Sequence, residues 1–259
     1  RGPVFASIGD LSELPEPRAG VDSVTNSEAA ALGRDPEKDG ALRVRRNLSV
    51  AAPGKNQVDS TFGRIANVDG VTRARIYENR TSSADSNSVE PHSMAIFVQG
   101  GDTIEVAEAI ANTKAPGCGL NASNTYPNKV QESVETENNS PLEVTFYRPE
   151  LTTAYVEVTI NGSLSLSNIA DIKAAIVEYS NAELFGGGIQ GFDKTGFGIG
   201  ETVRASKLYT PVNRTIGEGG SVESLFIGES STTVTATEIT PGFNGLVVFD
   251  ADNISVVQQ

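Results

Sequence analysis

The chain has 259 residues and a formal net charge of −13, with 20 Lys+Arg against 33 Asp+Glu. A surface of that sign repels phosphate and sets nucleic acid and anionic membrane surfaces aside as partners. The length accommodates two domains, and 38% hydrophobic residues with 26 Gly and no Trp point to a loop-rich, strand-bearing protein rather than a helical bundle.

Charge is unevenly spread. Residues 1–80 carry 12 basic and 11 acidic groups, whereas residues 81–259 carry 8 and 22, an imbalance that serves solubility or a basic partner. A single cysteine, Cys118, excludes an intramolecular disulfide, and no run approaches the ~20 apolar residues that span a bilayer. With Arg1 first and Met94 the only methionine, the chain is expected to be a fragment or a processed product. Seven N-x-S/T sequons occur, at Asn47, Asn79, Asn121, Asn138, Asn161, Asn213 and Asn253. With no signal peptide visible, the expectation is that they reflect an Asn/Ser/Thr-rich composition rather than glycosylation.

Along the chain, residues 1–56 are rich in Pro, Gly and charge and read as an extended arm, apart from a possible helix over 37–48. Val58, Phe62 and Ile65 share one face at helical spacing, and Gly70 closes that element. Over 71–77, Thr72, Ala74 and Ile76 alternate with Arg73 and Arg75, which predicts a half-buried strand. The polar stretch 82–90 reads as a loop. Residues 94–98 are continuously apolar and predict a central strand covered on both faces, closed by Gly100-Gly101. Asp102 and Glu105 form a capping box for a helix with Ile104, Ala107 and Ile110 on its apolar face, ended by Pro116-Gly117. Two strands, 130–134 and 142–146, flank a polar turn.

Arg148-Pro149 breaks the pattern and suggests a domain boundary near residue 150. Beyond it, Ala154, Val156, Val158 and Ile160 alternate in a strand. Asn168 is expected to cap a helix with Ile169, Ile172, Ile176 and Tyr179 as its stripe and Gly186-Gly187-Gly188 as its stop. A further helix is expected over 200–213, and strands over 221–227, 232–239, 246–249 and 254–257. The prediction is an α+β fold: an arm (1–56) followed by two domains (57–150 and 151–259), each of mostly antiparallel strands with one or two helices.

No catalytic, cofactor or metal site is predicted. The only histidine, His92, adjoins Ser93 and lies near Asp85 and Glu90, yet neighbours on a strand point to opposite faces, so Ser93 is badly placed for activation. Cys118 could reach His92 only through the fold. Gly186-Gly187-Gly188-Ile189-Gln190-Gly191 matches G-x-G-x-x-G but follows a predicted helix, where phosphate cradling needs a strand first. Gly117-Cys118-Gly119 reads as a turn with positive φ. Asp250-Ala251-Asp252-Asn253 lacks the sixth-position glycine of a calcium loop. One histidine and one cysteine are too few for a dedicated zinc site. Asp171, Glu178 and Glu183 read as a solvated helix face, and Arg43-Val44-Arg45-Arg46 as part of a charge-balanced surface.

Taken in order, Val24-Thr25-Asn26, Gly33-Arg34, residues 37–46, Asp69-Gly70-Val71, Tyr77-Glu78-Asn79, Pro91-His92-Ser93, Val98-Gln99-Gly100-Gly101, 104–110 and 114–117 resemble the baseplate J-like family. The resemblance extends more loosely through Gly200-Glu201 and 249–257. It implies a non-enzymatic wedge protein of the baseplate in contractile-tailed phages and related injection machines. Its implied partners are other copies of itself, as a homodimer or larger ring, and other wedge proteins around the tail tube. The implied location is the virion tail baseplate, assembled in the host cytoplasm. Two departures stand out: Glu90 occupies the place of the first proline in the family's Pro-Pro-His-Ser, and the family's N-terminal region is missing. In this reading His92 belongs to a structural signature, and residues 148–152 form a bendable connection. The alternatives are a surface adhesin or carbohydrate-binding module, which would be short of aromatic platforms, and a hydrolase using His92 with Ser93 or Cys118.

Overall fold

Asp59 in the first turn and Arg64 in the last place opposite charges against the dipole of a helix, α1 (Val58–Ala66), whose Ile65 is fully buried. Val58 and Phe62 flank Ile65 in the same core, as their spacing predicts. The computed structural model to which this helix belongs describes residues 7–10, 23–29, 42, 43, 46, 58–136, 139–162, 164–181, 196–216 and 220–259. The predicted arm lies largely outside these residues, as does most of the helix expected over 37–48, of which Leu42, Arg43 and Arg46 are helical and exposed.

After α1 the chain forms β1 (Val71–Asn79) and β2 (Ser93–Gly100), which pair antiparallel. Every residue from Ser93 to Val98 is buried, as a central strand requires. Helix α2 (Thr103–Ala111) follows, and the Asp102 carboxylate accepts from the N–H groups of Ile104 and Glu105. Its buried face is Val106, Ala107 and Ile110, whereas Ile104 is 56% exposed. The predicted stripe was therefore rotated by part of a turn. The helix also stops at Ala111, with Asn112 as its C-cap, ahead of Pro116-Gly117.

A short β3 (Gly119–Leu120) lies parallel to the start of β2, and β4 (Lys129–Glu135) and β5 (Pro141–Tyr147) make an antiparallel hairpin. The sheet order is β1-β2-β5-β4, with β2 and β5 parallel. Helices α1 and α2 cover one face, where Ile65, Ile96, Val98, Ile110, Val144 and Phe146 pack together.

Strand β6 (Glu150–Gly162) begins a second sheet, ordered β10-β6-β8, with β8 (Gly220–Gly228) antiparallel and β10 (Gly245–Gln258) parallel to β6. The predicted inward set Ala154, Val156, Val158 and Ile160 is buried against α3 (Leu166–Asn181) and α4 (Ala205–Ile216). Helix α3 starts ahead of Asn168. Ser165 holds the Asn168 N–H with its hydroxyl, while the Asn168 side chain accepts from the Ser165 N–H, a reciprocal box. Its expected glycine stop lies outside the described residues. Helix α4 starts later than predicted, because Val203 and Arg204 form β7 against β9 (Glu238–Ile239).

The strand expected over 232–239 shrinks to Glu238–Ile239. Residues 231–238 are almost all exposed, so their Thr and Val have no sheet face to pack on. The two short strands expected at 246–249 and 254–257 are one strand, β10, whose pairing with β6 is irregular between Phe249 and Ile254. The α+β class stands, and both main sheets are mixed. No helix among the described residues is long and apolar enough to cross a membrane.

Candidate functional site

Two arrangements gather the residues singled out in the sequence: a clasp around Glu90 to Ser93, and a seam where the two sheets meet. The clasp begins in the loop after β1. Asp85 accepts from the Asn87 and Val89 N–H groups, 2.9 Å each, and pins Val89 into the interior. Glu90 donates its N–H to the Asn121 side chain at 2.8 Å and accepts from the Ala122 N–H at 3.2 Å. Ser93 is 2% exposed and donates its hydroxyl to the Glu90 carbonyl at 2.7 Å. Its proton is thus committed to the backbone.

His92 is exposed, with φ of +50°, and its carbonyl accepts from the Gly119 N–H at 2.9 Å. What the position supplies is a left-handed turn that delivers residues 118–121 to the start of β2. Holding an L-residue there costs about 1–2 kcal/mol. A His92→Gly variant is accordingly expected to be at least as stable as the parent, whereas His92→Val, branched at Cβ, should lose stability. Urea midpoints for the pair check this, and a drop for His92→Gly would restore a role to the imidazole.

Cys118 is half-buried, its Sγ near the Gly119 carbonyl, and burial pushes the thiol's pKa up, away from the thiolate a nucleophile needs. Gly117 has φ of +78°, as its turn reading requires. Asp250 and Asp252 are exposed in the irregular part of β10, where Asp250 accepts from the Asp252 N–H. Asp171 and Glu178 lie on the solvated face of α3. Glu183 and the 186–191 glycine stretch are outside the described residues, as are Val44 and Arg45. Among the described residues, no three His, Cys, Asp or Glu side chains gather as they would around a metal ion.

Two of the seven sequons are sealed inside the clasp. Asn79 is 3% exposed and donates to the Ser83 and Val89 carbonyls, both at 2.8 Å. Asn121 is fully buried, and its amide donates to the Tyr147 hydroxyl at 3.1 Å. Neither nitrogen is available to a sugar in the folded chain, which favours the compositional reading at these two positions.

The seam is aromatic. Phe97 of β2 stacks on Tyr147 of β5 with ring centroids 5.3 Å apart and meets Tyr77, Tyr126 and Phe243 edge-on. Ile199 and Leu246, from the second half of the chain, are buried against the same rings. Tyr77 donates its hydroxyl to the Phe243 carbonyl at 2.6 Å, and Arg73, 6% exposed, donates Nε to the Phe197 carbonyl at 2.7 Å. Burial raises the pKa values of Tyr77 and Tyr147 and pushes Tyr126 up to about 12.

The sign follows. A phenol whose folded pKa is raised stabilises the fold fully below its unfolded value of about 10, and the contribution is lost as pH rises toward the folded value. Stability is expected to fall between pH 10 and about 12. Tyrosinate absorbance should rise together with unfolding, and free titration of all six Tyr in a still-folded chain would refute it.

At the junction, Arg148 donates to the carbonyls of Val98 at 3.2 Å, Gly101 at 3.0 Å, and Gly100, and lies over the Phe146 ring. Burial lowers its pKa, while Asp102 pulls in the opposite direction. Glu150 donates its N–H to the Asn244 carbonyl at 3.1 Å, and residues 150–152 already pair in β6. Each end of the connection expected to bend is thus held to its own half of the chain. Arg73, Arg148 and the rings of the seam carried no sequence signal as a group, since their partners lie far away in the chain.

A cleft of about 620 Å³ opens between α1, β1 and residues 198–201, with Asp59, Arg75 and Glu201 on its rim. Glu201 is engaged by the Gly198 N–H and by Lys207. No nucleophile paired with a base lines it.

No family model matches the sequence, and no curated protein does either. Among solved structures, the chain is similar to one in the "Cryo-EM structure of the anti-feeding prophage (AFP) baseplate, 6-fold symmetrised", at 10% identity and a TM-score of 0.47. The alignment covers 93% of this chain and 48% of that one, so this chain spans about half its length.

Proposed function

We propose that the chain is a non-enzymatic structural component of a contractile-tail baseplate, a wedge protein of baseplate J-like type. In this reading two α+β units, 57–150 and 151–259, follow an arm over 1–56. Copies associate with one another and with other wedge proteins to form a ring around the tail tube, in the virion tail baseplate.

The observation that supports this reading is the convergence of the ordered motifs. Asp69-Gly70-Val71 and Gly100-Gly101 meet backbone to backbone. Tyr77 bonds across the seam, and Pro91-His92-Ser93 joins the clasp through the Gly119 N–H and the Glu90 carbonyl. The signature residues fix turns and joints, the work of a part that must keep its shape under load. Ser93 and Cys118, the nucleophiles of the hydrolase alternative, are occupied or muted. Five rings that an adhesin could stack on sugars, Tyr77, Phe97, Tyr126, Tyr147 and Phe243, are spent in the seam.

An antibody against the chain is expected to label the baseplate end of contractile tails purified from its source. Purified tails that carry none of the chain would overturn the reading.

A further inference from the structure

Sheet edges expose unpaired N–H and C=O groups, and proteins block them unless they are used. Among the described residues the two main sheets have outer edges at β1, β4, β8 and β10, and two of these carry local contacts that interrupt them. On β10, the Asn181 side chain donates to the Phe249 carbonyl at 2.6 Å and accepts its N–H at 3.1 Å, while Gly245 is held by Gly200 and Gly242. On β8, Ile227 exchanges two backbone bonds with Ala236. β1 borders the cleft beside α1 and residues 198–201. Among the described residues β4 pairs only with β5, so its outer edge is unpaired along all seven residues.

The sequence of that edge, Lys129-Val130-Gln131-Glu132-Ser133-Val134-Glu135, complements itself when reversed. Centred on Glu132, an antiparallel copy sets Lys129 against Glu135 and Val130 against Val134, each twice. The two side chains of each pair share a face, as side chains directly opposite must, with the charged pairs on one face and the valine pairs on the other. Moving the centre to Gln131 or Ser133 sets a valine against Glu132 and loses the Lys129 pairing. Within the chain, Lys129 donates to the Ala122 carbonyl and Asn124, which fixes its ammonium and leaves a third donor.

We propose that β4 pairs antiparallel with β4 of a second copy about a two-fold axis through Glu132, joining two five-stranded sheets edge to edge. The proposal rests on the self-association in the reading above and names its surface. Glu132 meets its own copy on the axis, so the contact carries one repulsive pair between attractive ones. A seven-residue edge buries far less than the ~1,600 Å² of a standard interface. The pairing is consequently weak for two free copies and effective where other contacts already hold them close.

The test is oxidative cross-linking of Glu132→Cys in a Cys118→Ala background, beside Gln131→Cys and Ser133→Cys, with dimer affinity measured by sedimentation equilibrium. Position 132 alone faces itself and is expected to cross-link well above its neighbours. Glu132→Gln should tighten the dimer about 2- to 5-fold, and Glu135→Lys should weaken it about 3- to 30-fold. Equal cross-linking at all three positions, a dimer indifferent to both charge changes, or no dimer at any concentration would overturn the interface. If tails carry the chain but position 132 does not cross-link, this surface is wrong and the baseplate reading stands. If position 132 cross-links but tails lack the chain, the surface stands and that reading falls.

Discussion

A Gly100→Ala variant is expected to lose about 3–5 kcal/mol of unfolding free energy, a large share of the ~5–15 kcal/mol typical of folded proteins. Gly100 has φ of +79°, and a Cβ there would lie 2.1 Å from the Gly70 carbonyl oxygen, a backbone atom that cannot swing aside. The end of β2 would have to leave the α1–β1 turn. That movement would in turn pull the Gly100 and Gly101 carbonyls off the Arg148 guanidinium and leave a partly buried cation short of acceptors. Gly117→Ala is the control: its φ is +78° but nothing lies within 4 Å, so it should cost only the left-handed strain of about 1–2 kcal/mol. Urea unfolding of the two variants measures the difference, and equal losses would mean that the close approach of the two turns is not what holds this corner.

The contrast between these glycines marks where the sequence could be read and where it could not. Gly100-Gly101 was legible as a stop, because an apolar run ended there and a capping box began. That a carbonyl from residue 70 occupies the space of the missing side chain depends on a pairing across the sheet. Local period likewise revealed α1, the β4–β5 hairpin and the inward face of β6, since each buries alternate or helically spaced side chains against its own neighbours, and an unbroken apolar run revealed β2. Arg73 and Arg148 were read as solvated or as a break. Arg73 is buried and Arg148 half-buried, and both are held by the carbonyls of Phe197, Val98 and Gly101, which no local pattern announces. The parallel pairing of β10 with β6 joins strands about ninety residues apart in sequence. At the clasp, sequence logic separated His92 from Ser93 and so set aside a relay. The role of His92 as a left-handed turn was beyond it, because φ is not written in residue type except at glycine.

Bonding across the seam limits where motion can occur. The Tyr77–Phe243 and Arg73–Phe197 hydrogen bonds link the two halves, so a rotation of one sheet against the other would break them and part the aromatic rings as well. In the proposed assembly, rearrangement is then expected between copies, with the described elements of each chain moving together.

Phe97→Ala tests that coupling, with an expected loss of about 3–5 kcal/mol, the usual range for emptying a buried Phe site. The ring is fully buried and touches Tyr77, Tyr126, Tyr147 and Phe243, so it joins β1, β5 and the loop before β10 at one point. Its pairing with Tyr147 is also the register contact between β2 and β5. Removal should therefore do more than lower stability: amide protection at Leu246 to Phe249, on the far side of the seam, should fall with it. Val158→Ala, whose side chain packs wholly within the second core, should lower stability without opening the seam. Hydrogen exchange read at Leu246 to Phe249 separates the two. If Phe97→Ala left that protection at the parent level while the first sheet loosened, the halves would be independent, and the connection at 148–152 would again be the place where the chain bends.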